Sequence, residues 1–317
     1  MPYKIESSRY EYSAVIFAYS TIVVILFTIS LIFSIYQVNV VSILSTYPTT
    51  LVMHTNVDLI TSTMIVYWSY FQSHANLLAL RRLSDGAQKL SPKTFRKLSK
   101  FIYGKDVIEL FTVVYLAVNS LMLCSEVFML TSWCTYYAVM SMNMLYTNWV
   151  IILKACFENI NESLAQLKEL IDTDQPHLLR RTYHERMNSA LLMEIRVIKE
   201  EHLKITEIIQ LFNGTFGWLL IVTITVIFVN LTFNLYYFLM CFGMYGTILL
   251  PWYYMPFTMS YQCWKVLWTV WSCETARDRA REIGVNIHRI LIATFDQEIT
   301  AEVKRINVNI ICNKDVL

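Results

Sequence analysis

The chain has 317 residues, of which 56% are hydrophobic and only 16% charged, and its formal net charge is +2. Soluble domains average about 25% charged residues, so the two soluble domains that this length alone would suggest are excluded by composition. Seven glycines and six prolines exclude collagen-like, low-complexity and disordered chains, and a charge of +2 gives no case for a nucleic-acid partner.

Placement of the charges says more than their number. A helix needs about 20 mainly apolar residues to cross a bilayer core of ~30 Å. Residues 12–57 contain no Asp, Glu, Lys or Arg, and 13–36 within them form one apolar run. That run predicts span S1, which is too long for a signal-peptide core and lacks a clean small-residue cleavage site. S2 lies within 51–80 and carries a single carboxylate, Asp58. S3 covers about 107–130 with Glu126 near its far end, and S4 covers about 133–153. Residues 208–264 are again free of formal charge, which leaves room for S5 at about 212–233, a tight turn, and S6 at about 236–261.

These six spans separate seven connecting segments. The alternate set 1–12, 81–106, 154–207 and 262–317 holds 2, 8, 8 and 8 Lys and Arg, which is all 26 in the chain. Positive residues are retained on the cytoplasmic side, so both termini are expected there. The fold class that follows is an all-α polytopic membrane protein with six transmembrane helices and long cytoplasmic helical extensions, placed in the plasma membrane. Its expected parts are 1–156, with S1–S4 and the basic cytoplasmic loop 81–106; a cytoplasmic helical anchor at 157–211; S5–S6 at 212–261; and a cytoplasmic helical tail at 262–317. The anchor is read from apolar residues at helical spacing: Ile160, Leu164, Leu167 and Ile171, then Ile195, Ile198, Ile205, Ile208 and Phe212. A break is expected at 173–176, and the tail repeats the period at Ile299, Val303, Ile306 and Ile310.

Enzyme chemistry has no foothold in the sequence. It holds no Gly-x-Ser-x-Gly, no His-Glu-x-x-His and no phosphate-cradling glycine loop. The seven cysteines include no Cys-x-x-Cys pair, and His177, His184 and His202 sit among charged neighbours in cytoplasmic segments. No catalytic residue, metal or cofactor is expected. Sequons occur at Asn161, Asn213 and Asn230. The first two fall on the cytoplasmic side and the third too close to the membrane, so none is expected to carry glycan.

A family resemblance emerges in the tail. Glu274, Ala276 and Arg277 are followed by Ile290 and Leu291, then Asp296, then Glu302 and Val303, and then a short amphipathic run at 306–311. This order resembles the region before the last span of insect gustatory receptors, members of the insect chemoreceptor superfamily. The approach to S5 at 205–221, with Asn213 followed by a small, Phe-rich stretch, is similar to the same family, as is the inside N-terminus. The resemblance implies a ligand-gated, non-selective cation channel of sensory neurons, with four subunits around one pore. Family members have a seventh, pore-lining span, which would begin where this sequence stops at Leu317. The expectation is therefore a chain shortened before its pore helix that conducts no ions alone.

The resemblance also implies a pocket for a small-molecule tastant among the outer halves of the spans. Here those halves contain His54, Asp58, Glu126, Trp133, Tyr137, Asn143 and Tyr236, with Tyr136, Asn230 and Asn234 nearby. Charges inside a span are expensive and usually face a cavity or a partner, which makes Asp58 and Glu126 the leading polar candidates. A carboxylate can accept paired hydrogen bonds from vicinal hydroxyls or a charge-assisted one from an amine, while Trp and Tyr offer stacking faces. Two other readings stand beside this one. His54 and Asp58, one turn apart, could serve only each other, and the aromatics could be an ordinary interfacial belt. The implied partners are a tastant, membrane lipid, and homo- or hetero-tetramers with other gustatory receptors. A six-span transporter or membrane enzyme without a recognisable motif, and an odorant receptor of the same superfamily, are the competing functions.

Overall fold

The computed structural model describes residues 3–6, 9–12, 14–40, 49–123, 127–173, 181–244 and 254–293. It departs from an all-α expectation at the N-terminus, where β1 (Tyr3–Glu6) and β2 (Arg9–Tyr12) pair antiparallel. The register sets Lys4 opposite Glu11 and Glu6 opposite Arg9, residue types that favour such pairing. Seven helices follow among the described residues: α1 (Ala14–Asn39), α2 (Thr49–Phe71), α3 (Ser73–Ala87), α4 (Pro92–Leu123), α5 (Val127–Thr173), α6 (Arg181–Met244) and α7 (Tyr254–Ala293).

Local chemistry explains several boundaries. The basic loop expected at 81–106 is helical: it holds the end of α3 and the start of α4. Pro92 stands at the first position of α4, where its missing N–H is no loss, and Ser91 caps that helix by accepting from the Thr94 backbone N–H at 3.2 Å. The break expected at 173–176 agrees with α5 ending at Thr173.

Two boundaries differ from the hydropathy reading. The turn expected at 234–235 lies inside α6, which runs unbroken to Met244. Asn234 is tolerated inside α6, which ends at Met244, and the next described helix begins at Tyr254. Likewise the break expected at 131–132 lies inside α5, because α4 ends at Leu123 and α5 starts at Val127. Among the described residues two helices, over Phe17–Asn39 and Leu192–Met240, are long and apolar enough to cross a membrane.

The chain divides into two compact units. Unit 1 comprises Met1–Leu78, Lys100–Thr147 and Thr215–Val270. It has a buried apolar core that includes Val113, Leu116, Met140 and Tyr261, and it buries polar residues as well while exposing large apolar ones. Ser34, Ser62, Asn143, Thr147, Thr223, Asn230, Gln262, Lys265 and Thr269 are buried, whereas Ile22, Leu26, Ile29, Phe111, Phe228 and Leu239 are exposed. Hydroxyls inside the helices return to the carbonyl one turn back, as in Thr28 to Val24, Thr147 to Asn143 and Thr223 to Leu219, so few of them need outside partners. Helices α1 and α2 are joined by hydrogen bonds between side chains: Thr21 with Tyr70 and Thr28 with Tyr67, both at 2.7 Å, and a reciprocal amide pair between Asn39 and Asn56.

Unit 2 comprises Ala79–Ser99, Asn148–Gly214 and Trp271–Leu317. Its interior is apolar in the usual sense. Of the residues picked out by helical spacing, Ile160, Leu164, Leu167, Ile195, Ile198, Ile205, Ile208 and Phe212 are buried, while Ile171 is half-buried. Leu83 of α3 and Ile283, Ile287 and Ile290 of α7 are buried with them in this unit. Ion pairs lie around it, among them Lys89–Glu201 at 2.8 Å and Arg82–Glu207 and Arg279–Glu158, both at 3.2 Å. Exposed pairs of this kind contribute about 0–1 kcal/mol each. Asn161 is a deeper tie: its amide donates to the Arg279 carbonyl at 2.8 Å and its oxygen accepts from Asn286 at 3.0 Å.

Two ionisable groups of unit 2 feel its interior. Burial pushes the Cys156 thiol up to about 11, with Glu201 adding to the shift. Burial also holds the His202 imidazole below its ordinary value. Because the neutral form is the one the fold accepts, the unfolded chain binds more protons as pH falls below about 6.5. Stability from this site is therefore complete above about pH 6.5 and is lost on acidification toward the lowered folded value. We expect the unfolding midpoint to drop between pH 7.5 and 5.5, and the drop to shrink in His202→Gln. An identical drop in that variant would assign the pH dependence elsewhere.

Candidate functional site

Five of the seven sequence-derived site residues have side chains described in the structure, all in unit 1. Glu126 lies outside the described residues, and Trp133 is placed only as a position on α5. Tyr137 of α5 and Tyr236 of α6 are exposed. Tyr236 packs edge-on against Tyr237 at 5.7 Å, an arrangement that suits an interfacial aromatic.

His54 and Asp58 do come together with a third group. Both sit in the first half of α2, four residues apart, and so share one face of the helix. His54 Nε2 lies 3.5 Å from Asp58 Oδ2 and 2.7 Å from Asn230 Oδ1 on α6. An amide oxygen only accepts, so Nε2 carries the proton and donates. The imidazole ring also meets Phe233, with centroids 4.8 Å apart. His54 and Asp58 thus do not serve only each other: Asn230 closes the cluster across two helices. About a third of the Asp58 side chain is exposed, whereas its Oδ1 is buried and has no hydrogen-bond partner. A carboxylate with one free oxygen beside an imidazole can take a hydroxyl or ammonium donor from a ligand.

Asn143 belongs to a second cluster, on α5 and α7. It is buried and lies 3.5 Å from the Thr269 hydroxyl. Near it, Lys265 is only 2% exposed, although the sequence counts it with the solvated tail. Its ammonium points at the Met140 thioether, 2.6 Å away, and lies over the rings of Tyr136 at 5.7 Å and Tyr261 at 6.0 Å. Gln262 donates to the Tyr136 hydroxyl at 3.3 Å. Sequence reading missed Lys265 and Gln262 because it placed the end of S6 at 261. The signal was available in Gly246 and Pro251: a helix restarting after them puts Lys265 three turns in.

A bundle with polar groups inside and aliphatic side chains outside is a poor object in water, where an apolar exterior of this extent leads to aggregation. Surrounded by lipid it is well solvated. The family described as 7tm chemosensory receptor matches the chain over residues 1–317, its whole length.

The chain belongs to the 7tm chemosensory receptor family.

No curated protein matches the chain. The family places this chemosensory receptor in a membrane and makes small molecules its ligands. Among the described residues no group of His, Cys, Asp and Glu is arranged to hold a metal.

Proposed function

We propose that this chemosensory receptor is a gustatory receptor, a subunit of a ligand-gated, non-selective cation channel in the plasma membrane of sensory neurons. Six spans carry it, with both termini cytoplasmic and four subunits to an assembly. One observation supports the ligand-binding part most: Asp58, His54 and Asn230 gather inside a lipid-facing bundle, with a carboxylate oxygen left for a guest. The one-sided distribution of all 26 Lys and Arg supports the topology. A ligand that binds better to the open than to the closed arrangement shifts the population toward opening by that difference.

The chemistry of Asp58 fits a ligand presenting vicinal hydroxyls or an amine. A charge-assisted hydrogen bond contributes about 1.5–3 kcal/mol, equivalent to roughly a 10- to 150-fold change in affinity. Purified receptor in lipid nanodiscs would be titrated with a panel of sugars and amine alkaloids. We expect at least one compound to bind saturably and to lose about tenfold or more in affinity in Asp58→Ala. Full affinity in Asp58→Ala and in Asn230→Leu, or no binding by either compound class, would remove this cluster from the ligand site. Ligand-evoked cation current with reversal near 0 mV, measured on cells expressing the receptor, tests the channel half of the proposal.

A further inference from the structure

Helix α4 carries two kinds of charge. Lys93, Arg96, Lys97 and Lys100 are exposed, and no Asp or Glu lies between Gly86 and Lys105. None of the four has an ion-pair partner among the described residues, whereas Arg82, Lys89 and Arg279 are each paired with a glutamate. Beyond Phe101 the pattern reverses. The Lys105 side chain is only 9% exposed and closes on Asp106 at 2.8 Å and Glu109 at 3.7 Å.

Helical spacing puts the four unpaired cations in one row. At about 100° per residue, Lys93, Arg96, Lys97 and Lys100 fall within an arc of roughly 100°. The first and last are seven residues apart, a rise of about 10 Å. Toward the C-terminus the same face continues through Gly104, where a Cβ would meet nothing within 4 Å, to Ile108, Phe111, Tyr115 and Val118, all exposed. Phe101 and Tyr103, 45% and 73% exposed, flank Gly104 where the row changes from basic to apolar. Exposed aromatics in such a place mark the boundary between headgroups and hydrocarbon.

One face of one helix thus offers cations, then an open notch, then apolar surface. An anionic phospholipid offers phosphate, glycerol and acyl chains in the same order. The height of the row selects among such lipids. Lys93 stands about 10 Å beyond Lys100, while the headgroup layer is only about 5–8 Å thick. A head carrying several phosphates that stand out from the bilayer reaches along the row, and four cations with no acid between them match its charge.

We propose that this face of α4 binds a phosphoinositide of the cytoplasmic leaflet, with its phosphates on Lys93, Arg96, Lys97 and Lys100 and its acyl chains along Ile108, Phe111 and Tyr115. The cytoplasmic side follows from the topology proposed above. A binding assay in detergent does not depend on sidedness, so the site and the topology fail separately.

The full chain in detergent micelles is titrated with fluorescent dioctanoyl phosphatidylinositol bisphosphate. Saturable binding is expected for the wild type, at least about tenfold tighter than that of inositol trisphosphate, which has no chains to bury. Each cation near the head contributes about fivefold, so K97Q/K100Q is expected to bind about 25-fold more weakly. R82Q/K204Q removes as much positive charge from exposed positions off the row and is expected to bind as the wild type does. G104L fills the notch without changing charge and is expected to weaken binding at least about fivefold. It should fold, because a good helix former replaces a glycine at an open position. Equal losses in K97Q/K100Q and R82Q/K204Q, full affinity in K97Q/K100Q or in G104L, or equal binding of inositol trisphosphate overturns the proposal. Absence of saturable lipid binding overturns it too, and would point to an acidic protein as the partner of the row.

Discussion

Trp149→Ala is expected to destabilise unit 2 by about 3–5 kcal/mol, the range for removing a large buried aromatic. Trp149 is 2% exposed and stacks on Phe212, with ring centroids 5.3 Å apart and planes 23° from parallel. Truncation removes both the transfer free energy of the indole and its packing on the Phe212 ring, and leaves a cavity of indole size. Chemical denaturation in mild detergent, followed by gel-filtration recovery, measures the loss. Trp149→Phe keeps a ring and is expected to cost under half as much. A cycle with Phe212→Ala should return a coupling of about 0.5–1.5 kcal/mol, the aromatic-pair contribution beyond buried area. A loss below about 1 kcal/mol for Trp149→Ala would mean that the stack does not hold this unit together.

The second large effect is on α1. Leu26 stands at the middle of Ala14–Asn39 and is 60% exposed. If that exposure is to lipid, Leu26→Arg puts a guanidinium near the bilayer centre. Insertion scales assign an Arg there about +2.5–3.5 kcal/mol, and removing the leucine adds a few tenths more. The fraction of chains with α1 inserted should fall roughly a hundredfold relative to wild type, less where the arginine snorkels. Carbonate extraction of microsomes after cell-free synthesis of residues 1–48 alone, where no other helix holds the chain in the membrane, reads this directly, with Leu26→Met as the unaffected control. A water-exposed face would instead tolerate the arginine to within about 0.5 kcal/mol, and full membrane retention of Leu26→Arg would contradict the lipid-facing assignment.

The two units differ in how much of them could be read from sequence. In unit 2 the helical spacing of Ile160, Leu164, Leu167, Ile195, Ile198, Ile205 and Ile208 named core residues correctly, because an apolar side chain in water has one favourable place to go. In unit 1 the rule does not separate inside from outside, since Leu59, Ile65, Leu116 and Phe216 are buried while many other apolar residues are exposed. Apolar residues such as Ile29 and Phe228 are on the outside, and the informative residues are the few polar ones, whose spacing is too sparse to show a period. Asp58 stood out as a charge inside a span, and its neighbour His54 followed from the i, i+4 relation. Their third partner Asn230, 176 residues away, had been noted only as one polar residue among several. Lys265 was hidden by a boundary error: hydropathy cannot tell a turn from a polar step within a helix, and Asn234 looked like the former while serving as the latter.

The separation of Asp58 from Asn230 has a consequence for how the receptor is made. Chain elongation runs at about 5–20 residues per second, so the helix bearing Asp58 exists for roughly 10 to 35 s before Asn230 is synthesised, given the 176 residues between His54 and Asn230. The hydroxyls of α1 and α2 need no such wait, since Thr28 and Thr61 bond within their own helices to Val24 and Val57. Asp58 and His54 have only each other during that interval, and the cell must shelter a half-built polar pair in or beside the insertion machinery until α6 arrives. Variants that weaken the early pair should therefore show themselves first as loss of newly made protein to quality control, before any measurement on the finished receptor.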